Sequence, residues 1–195
     1  FGNNTELTIY AQYTEVGNFV VIYSAVGADE ETIPTDNTQY NIAETSIIKI
    51  PNQEPKKLGY TFEGWKTGTD DTVYKYGTQN DTYTVPNDIS GAITFIAQWS
   101  INEYKITYEL NGGINAENAP VSYTIETDTI TLPVPTKDGY NFEGWYTDAA
   151  FENAVAAIAK GSVGDMVLYA KWSEKDMAVY KINSYEKGNV SVRKR

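Results

Sequence analysis

The sequence predicts a mainly β protein, α+β at most, in which a small unit is repeated in tandem. Apolar and polar residues alternate with a period of two along much of the chain, as in half-buried strands. Gly-, Asn- and Pro-rich turn signals separate these segments. A heptapeptide, Gly-Tyr-Thr-Phe-Glu-Gly-Trp at 59–65, returns as Gly-Tyr-Asn-Phe-Glu-Gly-Trp at 139–145. The repeated strand pattern favours several small β domains over one large one.

The repetition extends beyond this heptapeptide. Phe-Ile-Ala-Gln-Trp-Ser at 95–100 matches Leu-Tyr-Ala-Lys-Trp-Ser at 168–173. Upstream, a Tyr-x-Ile element at 40–42 matches another at 123–125. The landmarks follow the same order with drifting spacing, so the chain contains one ancestral unit twice, with loop insertions.

These landmarks divide the chain into four expected segments. Residues 1–15 contain the last strand of a preceding repeat, and residues 16–100 and 101–173 are two repeat domains. Residues 174–195 are the start of a further unit or a tail, because they include a Tyr-Lys-Ile element like the one that opens the second repeat. The chain starts at Phe1 without a leader, so we expect a piece of a longer protein.

The second unit carries the clearest strand signals. In residues 104–110 the aromatic and aliphatic side chains share one face, and Lys, Thr and Glu share the other. Asn-Gly-Gly at 111–113 then predicts a turn, because Asn and Gly tolerate positive φ. Alternation resumes over 123–132, and Pro133 and Pro135 next mark a crossover, since proline cannot donate to a strand ladder.

The last part of the unit contains two more predicted strands. Tyr140 and Phe142 alternate, and Gly144 predicts a β-bulge that redirects Trp145. Residues 166–172 form the closing strand, with its large side chains on alternate positions.

One helix is also compatible with the second unit. Asp148 is suited to cap residues 149–160, which carry three apolar side chains at helical spacing and are followed by Gly161. The matching stretch of the first unit, 67–81, is polar and rich in Gly and Thr, which predicts a loop. A helix here would be a local insertion and not part of the repeated fold.

Composition excludes several classes of function. The chain has 195 residues, 26 acidic and 15 basic, for a net charge of −11. This argues against nucleic acid, because phosphate binding needs clustered Lys and Arg. His and Cys are absent, which removes zinc sites built from them, imidazole bases, thiol nucleophiles and disulfides. No apolar run approaches the about 18 residues of a membrane span, so we expect no membrane insertion of this segment.

No motif predicts catalysis, a cofactor or a metal. Acidic runs occur at residues 29–31 and 70–71. A glycosidase needs two facing carboxyl groups, and a calcium loop needs spaced acids, so solvated loop acids are the expectation. The sequence has no Gly-x-Ser-x-Gly elbow and no phosphate-binding glycine loop. We therefore expect no enzyme, no cofactor and no metal site.

The aromatic residues fall into two groups. Residues at equivalent positions in both units are expected to form the structural core, since a small unit needs large side chains for stability. These are Trp65, Trp99, Trp145, Trp172, Tyr60, Phe62, Tyr140 and Phe142. The candidates for an exposed binding face are Tyr74, Tyr76, Tyr83 and Tyr146.

Three consecutive motifs carry a family resemblance. Tyr-x-Ile-x-Tyr-x-x-Asn-Gly-Gly, Pro-x-x-x-x-Gly-Tyr-x-Phe-x-Gly-Trp-Tyr and Leu-Tyr-Ala-Lys-Trp resemble the Listeria–Bacteroides repeat family, also called internalin B-repeats. The resemblance covers residues 103–173 fully and the first unit well from Tyr40 onward. The opening strand of the first unit, 19–23, also fits, but residues 24–27 lack the Asn-Gly-Gly turn. It implies small β-grasp-like domains with mixed or antiparallel sheets, repeated in bacterial cell-surface proteins and without catalytic residues.

The resemblance implies a non-enzymatic, extracellular segment at the bacterial cell surface or cell wall. It would act as a stalk, a spacer or an adhesion module, as a monomer, with a host or cell-wall protein or glycan as its partner. The alternative is a carbohydrate-binding accessory module of a secreted enzyme. An exposed aromatic platform flanked by polar groups would favour that alternative.

Overall fold

The computed structural model describes residues 17–176, 180–186 and 189–194. The chain divides after Ile101 into two compact units. Strands in mixed and antiparallel sheets make up nearly all of the regular structure, which confirms the mainly β class, whereas the β-grasp-like detail stays a prediction. The strand expected within residues 1–15 lies outside the described residues.

The first unit contains a four-stranded mixed sheet and a separate strand pair. Its strands are β1 (Asn18–Ser24), β2 (Gln39–Asn41), β3 (Ile47–Lys49), β4 (Tyr60–Lys66), β5 (Thr82–Thr84) and β6 (Gly91–Ile101), with one 3-10 turn at Glu30–Thr32. The sheet order is β2-β1-β6-β4, and β3 pairs with β5. The central strands β1 and β6 are parallel, and the two outer pairings are antiparallel.

The second unit repeats this arrangement. Its strands are β7 (Tyr104–Glu109), β8 (Ser122–Tyr123), β9 (Ile130–Thr131), β10 (Tyr140–Tyr146), β11 (Ala154–Val155), β12 (Ala157–Ile158) and β13 (Met166–Glu174). The main sheet has the order β11-β10-β13-β7-β8, and β9 pairs with β12. As in the first unit, the first and last strands, β7 and β13, are parallel neighbours.

Two further strands follow β13. They are β14 (Tyr180–Glu186) and β15 (Asn189–Lys194), which form an antiparallel pair. Assignment of residues 174–195 to a further repeat or a tail stays a prediction.

A bulge occurs at the same glycine in both units. The register between the motif strand and the closing strand shifts between Phe62 and Gly64 in the first unit and at the equivalent point in the second. Gly64 has φ 140° and Gly144 has φ 133°, in the region that favours glycine. The predicted bulge is confirmed, and the tryptophan that follows it is buried in each unit.

The two cores have the same ring geometry. In the first unit, the ring centroids of Phe62 and Trp65 lie 5.0 Å apart at 64°, and Phe62 and Trp99 lie 5.6 Å apart at 67°. In the second unit, the equivalent pairs lie 5.4 Å apart at 66° and 5.4 Å apart at 63°. Edge-to-face packing of this kind adds to the stabilisation from area burial, so one aromatic motif builds both cores.

The helix expected over residues 149–160 is wrong. The segment contains the short strands β11 and β12, in which Val155 pairs with Trp145 and Ile158 pairs with Ile130. Phe151 has φ 59°, which a continuous helix does not allow. The apolar spacing that suggested one helical face places side chains on two different strand pairs instead.

Candidate functional site

Each unit holds a lysine against the tyrosine of its repeated motif. Lys57 Nζ lies 4.1 Å from the ring centroid of Tyr60, and Lys137 Nζ lies 4.2 Å from that of Tyr140. In both units the same nitrogen lies 5.8 Å from the ring of the closing-strand tryptophan. A lysine ammonium at this distance over an aromatic face makes a cation–π interaction.

The turn after the first strand closes over this lysine. A Cβ added at Gly27 would lie 3.5 Å from Lys57 Cε, and one at Gly112 would lie 3.6 Å from Lys137 Nζ. In the second unit, Lys137 Nζ donates a hydrogen bond of 2.7 Å to the carbonyl oxygen of Asn111. The turn and the rings together set the position of the ammonium group.

An open groove adjoins each lysine. The groove of the first unit has a volume of 490 Å³ and that of the second 530 Å³. The polar and aromatic lining of the first, here called the Lys57 groove, is Asp29, Glu54, Lys56, Lys57, Tyr60 and Phe62. The corresponding lining of the second, the Lys137 groove, is Asn111, Lys137, Tyr140, Phe151, Tyr169, Lys171 and Trp172.

The two grooves differ in charge. The Lys57 groove combines two lysines with two carboxylates. The Lys137 groove combines two lysines with aromatic rings, and none of the described residues that line it is acidic. Alignment of the closing strands places Gln98 where the second unit has Lys171, and Ile96 where it has Tyr169. Of the two grooves, therefore, only that of the second unit combines lysines and aromatic rings without a carboxylate in its described lining.

The loop of residues 147–153 connects β10 to β11 and is here called the Phe151 loop. It forms one wall of the Lys137 groove. Phe151 packs edge-on against Tyr146, with ring centroids 5.5 Å apart at 82°. Lys171 Nζ lies 5.1 Å from the centroid of Tyr146 and 5.7 Å from that of Phe151. The loop after β10 thus adds an aromatic wall and packs beside a second lysine.

Asp148 holds this loop in place. Its Oδ1 accepts a hydrogen bond from the backbone N–H of Glu152 (3.1 Å), and its Oδ2 accepts one from that of Asn153 (2.8 Å). These backbone bonds hold the pKa of the Asp148 carboxyl below its ordinary value, because they favour the charged form. Asp148 does act as a cap, but it caps a loop and not a helix.

The eight repeated aromatic residues occupy two environments. The buried ones are Trp65, Trp145 and Phe62. The half-buried ones are Trp99, Trp172, Phe142, Tyr60 and Tyr140. Trp99, Trp172 and Phe142 pack against the cores, Tyr60 and Tyr140 line the grooves, and Trp172 does both.

The four tyrosines expected on an exposed face are not equivalent. Tyr76 is 53% exposed. The expectation is wrong for Tyr83, which is 3% exposed because its ring packs edge-on against Phe95 in the core. Tyr74 is half-buried, and its hydroxyl donates to Asp70 Oδ2 at 3.0 Å. Tyr146 is half-buried beside the Phe151 loop.

The acidic runs lie at the surface. Residues 29–31 and 70–71 are all exposed. Within the described parts of the chain, no group of three or more acidic residues is arranged to hold a metal ion. The helices of the same parts include none with the length and apolar character of a membrane span.

Sequence reasoning missed the groove lysines. The signal was present, because Lys-x-Gly-Tyr stands at 57–60 and again at 137–140. Lys171 carried no such signal, because Gln98 stands at its position in the first unit, and Phe151 carried none, because it lies in a loop that differs between the units. Only the fold brings these three residues to one groove.

The repeated geometry has a counterpart among known families. The model of the Listeria-Bacteroides repeat domain matches residues 19–98 and 104–171, one match in each unit. The chain belongs to this family. The matched ranges contain the heptapeptide and the groove lysine of both repeats, and each ends just before the closing-strand tryptophan.

Similar proteins are larger than this chain. A protein described as a Gly-rich membrane protein of Evansella cellulosilytica is 32% identical over 88% of the chain and 19% of its own length. A second membrane protein of that organism is 29% identical over 95% of the chain and 26% of its length. Internalin H of Listeria monocytogenes is 33% identical over 71% of the chain and 24% of its length. The chain thus spans about a fifth to a quarter of these relatives. No solved structure matches it.

Proposed function

We propose that the chain is a non-enzymatic, extracellular segment of a bacterial cell-surface protein, in which tandem repeats act as a stalk or spacer. One observation carries the proposal. The two units share the order of their main strands, the glycine bulge and the geometry of the aromatic core, while the loops after the motif strands, residues 67–81 and 147–153, differ in length and sequence. Core packing requires the strand framework of the two units to be alike and leaves these loops free to differ. A ligand site common to both units would instead require the same residues in these loops.

The relatives support a location at the cell envelope. Two are described as membrane proteins and one is an internalin, and this chain matches only a limited part of each. A repeated domain that fills part of a large envelope protein suits a role in holding other parts away from the surface. The net charge of −11 would keep such repeats soluble and mutually repelling.

Surface display tests the spacer role. An epitope tag would be joined to a wall anchor through one, two or four copies of this chain on a Gram-positive cell. A spacer should make the tag progressively more accessible to antibody as copies are added. Chains built from two copies of the first unit or two copies of the second should serve equally well.

Unequal performance of these chains would contradict the proposal. If tag access did not change with copy number, the repeats would not act as a spacer. Cell attachment, measured without the antibody, is the second readout. If it were supported only by chains that contain the second unit, an adhesion role would replace the spacer role. A flexible Gly/Ser linker of matched residue number provides the control for chain length.

A further inference from the structure

Beyond the spacer role, we propose that the Lys137 groove binds an anionic saccharide, whose carboxylates pair with Lys137 and Lys171 while its sugar rings pack on the aromatic lining. The spacer proposal does not depend on this site, since it rests on the shared framework of both units. The binding proposal depends on Lys171 and Tyr169, whose positions in the first unit are occupied by Gln98 and Ile96.

The first support is the charge of the groove. Lys137 and Lys171 are both half-buried and line one groove whose described lining has no carboxylate. Lys137 donates one hydrogen bond, to the Asn111 carbonyl, and an ammonium group has three donors. Two partly desolvated cations attract an anion more strongly than solvated surface lysines do, because screening by water is reduced. In a chain of net charge −11, the described lining of this groove carries two positive side chains and no negative one.

The second support is the aromatic lining. Phe151, Tyr169, Tyr140 and Trp172 are half-buried at the groove, so part of each ring stays accessible. Apolar ring surface with a few fixed polar groups is the composition of a small-molecule site. The C–H faces of a sugar ring can pack on such rings while its hydroxyls remain in water, which suits a groove open to solvent.

The topology favours a saccharide over an extended acidic peptide. Peptides that bind a sheet usually add a strand at a free edge. Tyr169 pairs with β10 on one side and with β7 on the other, whereas Lys171 pairs with β10 only. On the β7 side, beyond the end of that strand, the Asn111 side chain donates a hydrogen bond of 2.9 Å to the carbonyl oxygen of Ala170. A peptide strand would therefore meet occupied positions at Tyr169 and Ala170, which favours recognition by side chains.

The first unit supplies a native comparison. It keeps the lysine–tyrosine pair but has Gln98 and Ile96 in place of the second lysine and the groove tyrosine. Its groove also contains Asp29 and Glu54, which would repel an anion. The proposal therefore predicts binding in the second unit and none in the first.

The test uses the whole chain and one defined pair of probes. Trigalacturonic acid carries three carboxylates, and its methyl ester is the same saccharide without charge. Backbone and lysine side-chain NMR signals should shift saturably with the acid, with a Kd of about 1 mM or tighter. The shifts should lie around the Lys137 groove and leave the Lys57 groove unchanged. Added salt should weaken binding, because the attraction is ionic.

Two variants introduce residues that the first unit already carries at these positions. Lys171→Gln should weaken binding about tenfold by removing one cation, and Tyr169→Ile should weaken it by removing ring surface. Lys105→Gln, at an exposed position of β7 outside the groove lining, is the charge-matched control and should leave the Kd unchanged. Retained dispersion of the NMR spectrum would establish that each variant is folded.

Several outcomes would overturn the proposal. They are equal binding of the acid and its ester, shifts centred on the Lys57 groove, and an unchanged Kd for a folded Lys171→Gln variant. Absence of saturable shifts at probe concentrations well above 1 mM would also overturn it. Binding of an Asp-rich peptide in place of the saccharide would assign the groove to a protein partner.

Discussion

Trp65 and Trp145 are equivalent at the level of single residues. They are 0% and 3% exposed, and each follows the bulge glycine and packs edge-on against the motif phenylalanine. Tyr23 and Tyr108 make matching ring contacts to them at 4.9 and 5.2 Å. Burial raises the pKa of Tyr23 and Tyr108, because the phenolate would lose hydration.

Removal of either tryptophan ring should destabilise its unit severely. We expect Trp65→Ala and Trp145→Ala each to cost about 3–5 kcal/mol, because each leaves a large cavity in a small core. Chemical denaturation measures the loss. Tyr76→Ala, at a residue that is 53% exposed, is the control and should change stability by less than about 0.5 kcal/mol. A tryptophan variant that loses less than about 1 kcal/mol would contradict the core assignment.

At the level of elements, the bulge glycines of the two units have different surroundings. A Cβ on Gly64 would lie 2.5 Å from Val73 Cγ1 and 2.8 Å from the carbonyl oxygen of Tyr74. A Cβ on Gly144 would have as its nearest neighbour Tyr146 Cε2, at 3.8 Å. Both glycines have positive φ, so they share the backbone requirement but not the steric one.

Alanine substitution should separate these two requirements. Gly144→Ala should cost about 1–3 kcal/mol from backbone strain alone. Gly64→Ala should cost about 1–3 kcal/mol more, because the added methyl meets a side chain and a backbone atom. The difference in unfolding free energy between the two variants is the measurement. Equal losses would mean that the loop of residues 67–81 moves aside without cost.

The Phe151 loop should respond to acid. The folded-state pKa of Asp148 is lowered, so its charged carboxylate stabilises the folded loop fully above the ordinary pKa of 3.8. This stabilisation is lost as pH falls through the lowered pKa. The amide NMR shifts of Glu152 and Asn153 should therefore titrate with a midpoint below 3.8. Asp148→Asn should abolish this titration. A midpoint at or above 3.8 would show that the carboxylate does not hold the loop.

The strands could be predicted because each carries its own pattern. Alternation in β7 and the motif glycine in β10 are local, so residues 104–110 and the bulge at Gly144 were accessible from the sequence. The pairing partners of the strands could not be predicted from the sequence, because alternation shows which face of a strand is buried but not which strand lies beside it. In residues 149–160, apolar spacing suits a helix or two short strands, and contacts with Trp145 and Ile130 decide for strands.

At the level of the whole molecule, each unit contains its own hydrophobic core. The cluster built around Trp65 draws its described members from the first unit, and the cluster around Trp145 draws its members from the second. A domain of this size has a stability of only about 5–10 kcal/mol. A core lesion of several kcal/mol in one unit is therefore large compared with the stability of that unit.

Unfolding of one unit should leave the other folded. In Trp145→Ala at elevated temperature or moderate denaturant, the indole signals of Trp65 and Trp99 should keep their native NMR shifts after those of Trp172 are lost. Trp65→Ala should give the reciprocal result. Simultaneous loss of all indole signals in either variant would mean that the two units unfold cooperatively.

The parallel pairing of the first and last strands has a mechanical consequence for a protein attached at both ends. Because β1 and β6 run side by side in one direction, the chain enters the first unit at one end of this pair and leaves at the other. A pulling force then loads the ladder in shear, across six residue pairs at once in the first unit and four between β7 and β13 in the second. Forced unfolding depends on the unfolding rate. In single-molecule pulling, the second unit should therefore unfold first, because fewer residue pairs resist the shear. The first unit would then remain folded while the second extends.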